Sequence, residues 1–145
     1  MCHLCNYEEI LQDSGLEVNA NRILILQIIG NSTKPLNAKE ILEIISRTQN
    51  INSVTVYRIL ELLVEHKALE KISSGDRSFR FGLAPNKNHQ HHPHFYCTKC
   101  GNMECLSPEV ISINIDSFEK FFSGIIDKTE LRLDGICINC LTSKK

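Results

Sequence analysis

The chain has 145 residues, 42% of them hydrophobic and 23% charged, which suits one large or two small folded domains and excludes a disordered, fibrous or miniature scaffold. Its formal charge of -1 removes bulk basicity as a reason to bind nucleic acid, so any such binding must come from local patterning. Seven cysteines, an odd number, point to metal ligation or thiol chemistry in a reducing compartment before disulfides.

The longest apolar stretch, Ile23 to Ile29, is interrupted by Gln27 and is too short to cross a bilayer. The segment MCHLCNYEEIL has no basic flank leading into an apolar run, so a cytoplasmic location is expected.

Asn19 caps a helix predicted near residues 20–30, with Val18 placed to pack on Ile23 and Gly30 near its end. Asn37 and Glu40 form a capping-box pattern, flanked by Leu36 and Ile41, that opens a helix to about Arg47. A third helix starts at Asn52 or Ser53 and runs to about His66, burying Val56, Ile59, Leu60, Leu63 and Val64 at helical spacing. Leu69 to Ser73 and Ser78 to Leu83 alternate around Ser74-Gly75-Asp76-Arg77, the pattern of a hairpin. Three helices and a hairpin make a winged helix, assigned to residues 1–84.

Residues 85–94, in the polar and Pro-containing stretch APNKNHQHHPH that starts at Ala84, read as a linker. Beyond them, strands are expected at Phe95 to Cys97, Asn102 to Leu106 and Glu130 to Ile136, with an amphipathic helix over Pro108 to Phe122. Residues 95–145 therefore read as a small α+β domain.

Cys97-Thr98-Lys99-Cys100 and Cys137-Ile138-Asn139-Cys140 are two CxxC pairs. Each turn can present two thiolates to one ion at about 2.3 Å, and two such turns close a tetrahedral zinc shell. A closed shell leaves no position for water, so the implied role is structural; redox chemistry and buried apolar cysteines are the alternatives.

On the third helix, Val54, Tyr57, Arg58, Glu61 and Glu65 project opposite the core face. The two glutamates would repel phosphates, so contact with DNA is expected only at the N-terminal end, as in helix-turn-helix recognition helices. There Arg58 can donate to guanine or phosphate, Tyr57 can touch a phosphate or a thymine methyl, and Ser53 and Thr55 can bind the backbone. An ordinary amphipathic helix explains the same pattern.

His89, His91, His92 and His94 fall within six residues of one another. A spacing of two in an extended segment puts His92 and His94 on one side, suggesting a second metal site. Cys105, outside the quartet and next to Glu104, is the candidate soft ligand; a solvated linker and a buried free cysteine are the bland alternatives. Cys2, His3 and Cys5 form a further donor group, more simply read as stray thiols near a terminus.

The run Asn52-Ser53-Val54-Thr55-Val56-Tyr57-Arg58 in a winged helix, His91-His92-Pro93-His94-Phe95-Tyr96-Cys97-Thr98-Lys99-Cys100-Gly101, and Gly135-Ile136-Cys137-Ile138-Asn139-Cys140 together resemble the ferric uptake regulator family over about Gly15 to Cys140. The resemblance implies a dimeric transcription repressor, with an N-terminal winged helix and a small C-terminal α/β dimerisation domain holding a structural zinc. It implies that metal bound between the domains sets the angle of two winged helices on a palindromic operator.

Carried over residue by residue, the resemblance places structural zinc on Cys97, Cys100, Cys137 and Cys140. It gives Tyr57 and Arg58 as the DNA-contacting pair and Arg22 as a backbone contact. It makes His92 and His94 regulatory ligands, with Cys105 where many members have a carboxylate. Departures are Pro35 in place of a histidine, Gly82 in place of an acid and Glu17 in place of a basic residue. The family's further site keeps His91, while Pro93, Ser112 and Thr129 replace its other ligands. Glu70 lies where zinc-sensing members supply a ligand, and His89 or the Cys2-His3-Cys5 group could also reach in.

A thiolate in place of a carboxylate shifts preference toward zinc and away from ferrous or manganous ions. The expectation is thus a zinc-responsive repressor that binds double-stranded DNA as a homodimer, with no enzymatic activity and no membrane partner. A peroxide or iron sensor of the same family is the nearest alternative. An open catalytic zinc site finds no HExxH, nucleophile elbow or phosphate loop in its support; a zinc-storing scaffold is a third class.

Overall fold

The computed structural model describes residues 5–86, 90–109 and 115–143. The chain divides into two compact units between His91 and His92.

The first unit contains α1 (Tyr7–Asp13), α2 (Ala20–Gly30), β1 (Leu36–Asn37), α3 (Ala38–Ser46), α4 (Ser53–Glu65), β2 (Leu69–Ser73) and β3 (Phe79–Leu83). An asparagine opens each helix, because its short side chain accepts a backbone N–H that the helix cannot satisfy itself. Asn6, Asn19, Asn37 and Asn52 accept from Glu9, Arg22, Glu40 and Val54 at 3.2, 2.9, 2.8 and 2.7 Å. Glu40 Oε1 also accepts the Asn37 N–H at 3.0 Å, completing the capping box. Val18, expected to pack on Ile23, is 42% exposed.

Both α1 and α4 end in the same crossed pair of hydrogen bonds. After α1, Leu16 N–H donates to Leu11 O and Gly15 N–H to Gln12 O, with Gly15 at φ 77°. After α4, Ala68 N–H donates to Leu63 O and Lys67 N–H to Val64 O, with Lys67 at φ 63°. This closure needs one left-handed residue, free of strain for glycine and strained for lysine.

The core gathers Leu11, Ile25, Leu26, Ile41, Ile45, Val56, Leu60, Leu63 and Leu69, all at most 2% exposed. Truncating one of these leucines to alanine costs about 2–5 kcal/mol. An antiparallel sheet of order β1-β3-β2 closes the unit, with Leu69 opposite Leu83 and Ser73 opposite Phe79. The architecture is a winged helix, with α4 exposed along one face.

The second unit contains β4 (His94–Cys97), β5 (Met103–Cys105), α5 (Ile115–Glu119), β6 (Arg132–Gly135) and α6 (Ile138–Thr142). Its sheet has the order β5-β4-β6. The β4–β5 pair is antiparallel and β4–β6 parallel, so β6 must return by a long crossover, which includes α5. Pro93, His94, Tyr96, Cys97, Met103 and Cys137 are buried. Of the helix expected over Pro108 to Phe122, the described residues form only Ile115–Glu119; Pro108 and Glu109 lie in a turn, and 110–114 fall outside the described residues. No helix among the described residues is long and apolar enough to cross a membrane.

Candidate metal centres and nucleic-acid interface

The cysteine quartet is assembled by the ends of two neighbouring strands. Cys97 ends β4, and the chain turns back through Cys100 and Gly101, at φ 78°, with Gly101 N–H donating to Cys97 O at 2.9 Å. Because β6 pairs with β4 in parallel, with Cys97 opposite Gly135, the chain after β6 delivers Cys137 to the same place. Thr98 fastens the two ends: its N–H and Oγ1 reach Gly135 O at 2.8 and 3.1 Å. One turn of α6 then brings in Cys140.

All four Sγ atoms lie within 4.8 Å of one another, and Cys100 Sγ is 3.8 Å from Cys137 Sγ. A tetrahedron with metal–sulfur bonds of 2.3 Å has edges of about 3.8 Å, so the quartet fits zinc. Cys97 Sγ accepts backbone N–H groups of Cys137 and Cys100 at 3.4 and 3.5 Å. Those donors, Cys137 first, pull the Cys97 thiol down to about 6. Its neighbour Cys140 is pushed up to about 12, chiefly by the Cys137 side chain and then by burial. Thiols this close cannot all ionise unaided; a divalent cation removes the conflict.

A second cluster lies at the other end of the same strands. His94 sits opposite Cys105 on β5, and Leu106 N–H donates to Pro93 O at 2.9 Å. That bond pattern makes His94 and Cys105 a non-hydrogen-bonded pair, the type whose side chains approach most closely. His92, two residues earlier, joins the same side, its ring centroid 4.7 Å from that of His94. The ligand atoms of His92, His94 and Cys105 lie within 4.8 Å of one another. His94 is buried, His92 half-buried and Cys105 exposed. Glu104 pairs with Phe95 instead, and alternation turns it to the opposite face.

The remaining expected donors are placed as follows. Glu70, on β2, has Oε2 3.7 Å from His91 Nδ1. Cys5 packs half-buried against the core of the first unit. His89, Cys2 and His3 lie outside the described residues. Among the described residues, the donor groups brought close together are the quartet and the trio.

Ser53, Val54, Thr55, Tyr57 and Arg58 are exposed at the N-terminal half of α4, Tyr57 being 48% exposed. A shallow groove runs along the helix between Val54, Tyr57, Arg58, Glu61, Leu62 and Glu65. Glu61 is 3.6 Å from Lys71 of β2. Arg22, in the first turn of α2, donates from Nη1 to Glu17 O at 2.7 Å.

The model of the Ferric uptake regulator family matches residues 13–133. The chain belongs to the ferric uptake regulator family. It is accordingly a metal-binding, DNA-binding transcription regulator. It is 28% identical over 132 residues to the ferric uptake regulation protein of Bacillus subtilis, covering 90% of this chain and 89% of that one. Its fold matches the Helicobacter pylori ferric uptake regulator, described with three functional metal binding sites, at a TM-score of 0.75, 21% identity and full coverage of both chains. A zinc uptake regulator complexed with zinc and DNA matches at a TM-score of 0.64 and 17% identity, over 92% of this chain and 89% of that one.

Within this ferric uptake regulator fold, the departures named above have physical substance. Pro35 is buried and has neither a ligating atom nor a backbone N–H. A Cβ on Gly82 would lie 3.4 Å from Ile72 Cδ1, ordinary contact, so packing alone does not demand glycine there.

Proposed function

We propose that this regulator represses metal-homeostasis genes by binding palindromic operators as a homodimer, with zinc as the sensed ion. The observation that carries the reading is the convergence of His92, His94 and Cys105 across the β4–β5 ladder. Two imidazoles and a thiolate are a softer set than imidazoles and carboxylates, and favour zinc over ferrous or manganous ions. Glu70 and His89 are the candidates for completing the shell.

Cys97, Cys100, Cys137 and Cys140 hold a separate, structural zinc in this reading. Residues 1–84 read DNA, 85–94 serve as hinge and 95–145 pair the protomers. Support for the pairing surface comes from Phe118, Phe121 and Ile125, which are 57%, 92% and 89% exposed in the second unit. Tyr57 and Arg58 reach into the major groove, while Ser53, Thr55 and Arg22 hold the DNA backbone. When bound, the sensed ion supplies a crosslink that favours the DNA-competent arrangement by its differential affinity for that state. Such a protein works in the cytoplasm and catalyses no reaction.

The exposed thiol of Cys105 favours one second reading, a peroxide or redox sensor of the same family. The test compares wild type and Cys105→Ser by metal analysis and by DNA affinity with zinc, iron or manganese. The variant should keep the quartet ion and lose both the second ion and zinc-dependent DNA binding. Unchanged stoichiometry and zinc response in the variant contradict the assignment. Release of DNA by hydrogen peroxide, with no effect of zinc, replaces it with the redox reading.

A further inference from the structure

Strand β6 brings an ion pair beside the trio of His92, His94 and Cys105. Across the sheet β5-β4-β6, Cys105, His94 and Arg132 form one row: Cys105 is opposite His94 on β5, and Arg132 is opposite His94 on β6. Alternation along a strand sends directly paired residues of neighbouring strands to the same face. The next pair, Phe95 and Leu133, takes the other face. Gly135 lies there too, against the Phe95 ring, where a Cβ would stand 3.2 Å from Phe95 Cε1. Arg132 and, two residues on, Asp134 therefore share the face of His94, on a strand about 4.8 Å from β4.

On that face the two charges are joined. Arg132 Nε donates to Asp134 Oδ1 at 2.7 Å and Nη2 to Oδ2 at 3.1 Å, a two-pronged pair within one strand. The arginine side chain is 26% exposed and the aspartate 39%, so water screens them incompletely. A divalent cation at the trio meets a single negative charge, the Cys105 thiolate, and two neutral imidazoles. With so little charge among the ligands, the charges flanking them carry weight: a guanidinium opposes the cation, and a carboxylate beside the guanidinium cancels that opposition.

We propose that the Arg132–Asp134 pair sets the affinity of the His92, His94 and Cys105 site for a divalent cation, Arg132 lowering it and Asp134 restoring it. Both act through the field at the site and not as ligands, so the pair fixes the free-ion level at which the site fills. The inference rests on the reading of the trio as an ion site.

The test uses the full-length protein with its quartet loaded and zinc itself as the probe, competed at the second site against a chromophoric chelator. At about 0.1 M salt, Arg132→Gln should tighten the second zinc about threefold and Asp134→Asn should weaken it about threefold, the scale of one partly screened charge acting on a divalent ion. Arg132→Lys keeps the charge and loses the fork, and should stay within about twofold of wild type. The double variant, Arg132→Gln with Asp134→Asn, should return to the wild-type affinity because the two charges leave together. All the shifts should shrink toward about 1 M salt, where the screening length is about 3 Å. A pair that only braces β6 would weaken zinc binding in both single variants, at high salt as at low. That result, or unchanged affinity in both, overturns the proposal while the trio stands. If the wild type takes up the quartet ion and no second zinc, the trio reading and the proposal fall together.

Discussion

Gly30→Ala tests how the DNA-reading unit is packed, because two effects of opposite sign compete there. Gly30 is the buried last residue of α2, and a Cβ on it would land on the ring of Tyr7, in the first turn of α1. It would clash with Tyr7 Oη and lie 2.8 and 2.9 Å from Cε1 and Cζ, well inside van der Waals contact. Helix propensity favours the alanine by at most about 1 kcal/mol, and overpacking against a ring that is part of the core opposes it by about 1–3 kcal/mol. The net expectation is destabilisation of roughly 1–2 kcal/mol, read as a lower urea midpoint at unchanged slope. In a Tyr7→Ala background the clash is gone, and the same change should stabilise by about 0.5 kcal/mol. A Gly30→Ala protein more stable than wild type, or no reversal in the double variant, refutes the packing argument.

Lys67→Gly should stabilise the protein by about 1 kcal/mol, because it relieves a left-handed residue while keeping both closing hydrogen bonds of α4; calorimetry showing a loss of stability contradicts this. Asp76 is held at about 2 by Ser78 and Ser74, below its unfolded value. Its contribution is thus present above about pH 4 and lost as pH falls toward 2. Being exposed, it contributes no more than about 1 kcal/mol, and the stability gap between wild type and Asp76→Asn should narrow across that window; a gap constant down to pH 2.5 argues against a stabilising role for the hydrogen bonds that Asp76 Oδ1 accepts from Ser74 and Ser78. Stripping the quartet ion with a strong chelator should release α6 and the β6 end, seen as faster amide exchange at Cys137 and Leu141. Unchanged protection there denies the ion a structural role.

The sequence shows the first unit more clearly than the second, and the reason is burial. The asparagine caps and the 3.6-residue apolar period of α3 and α4 give their starts and ends to within about a residue, because those faces pack into one core. The short helix α1 escapes the periodicity argument because it buries only Leu11 among its described side chains. The two-residue strand β1 exists only through its pairing with Phe81 and Arg80, a tertiary fact without a local signal. In the second unit, Phe118, Phe121, Phe122 and Ile125 are exposed, so an amphipathic pattern there does not report a core within the chain, and the expected helix was too long. The two CxxC turns and the His92–His94 spacing were legible because each is a pattern of residue type and local spacing, which the structure then brings together. That Cys105 faces His94 while Glu104 turns away depends on strand register, which the sequence does not display.

The central claim is that the His92–His94–Cys105 ion governs promoter occupancy, and its direct measurement is DNA affinity before and after selective removal of that ion with the quartet still loaded. Metal analysis verifies the loading, and titration against a selected duplex at fixed salt gives the affinity. The account predicts a loss of at least about tenfold, a coupling of 1.4 kcal/mol or more, restored by zinc and not by manganese. Equal affinity in the two states contradicts it.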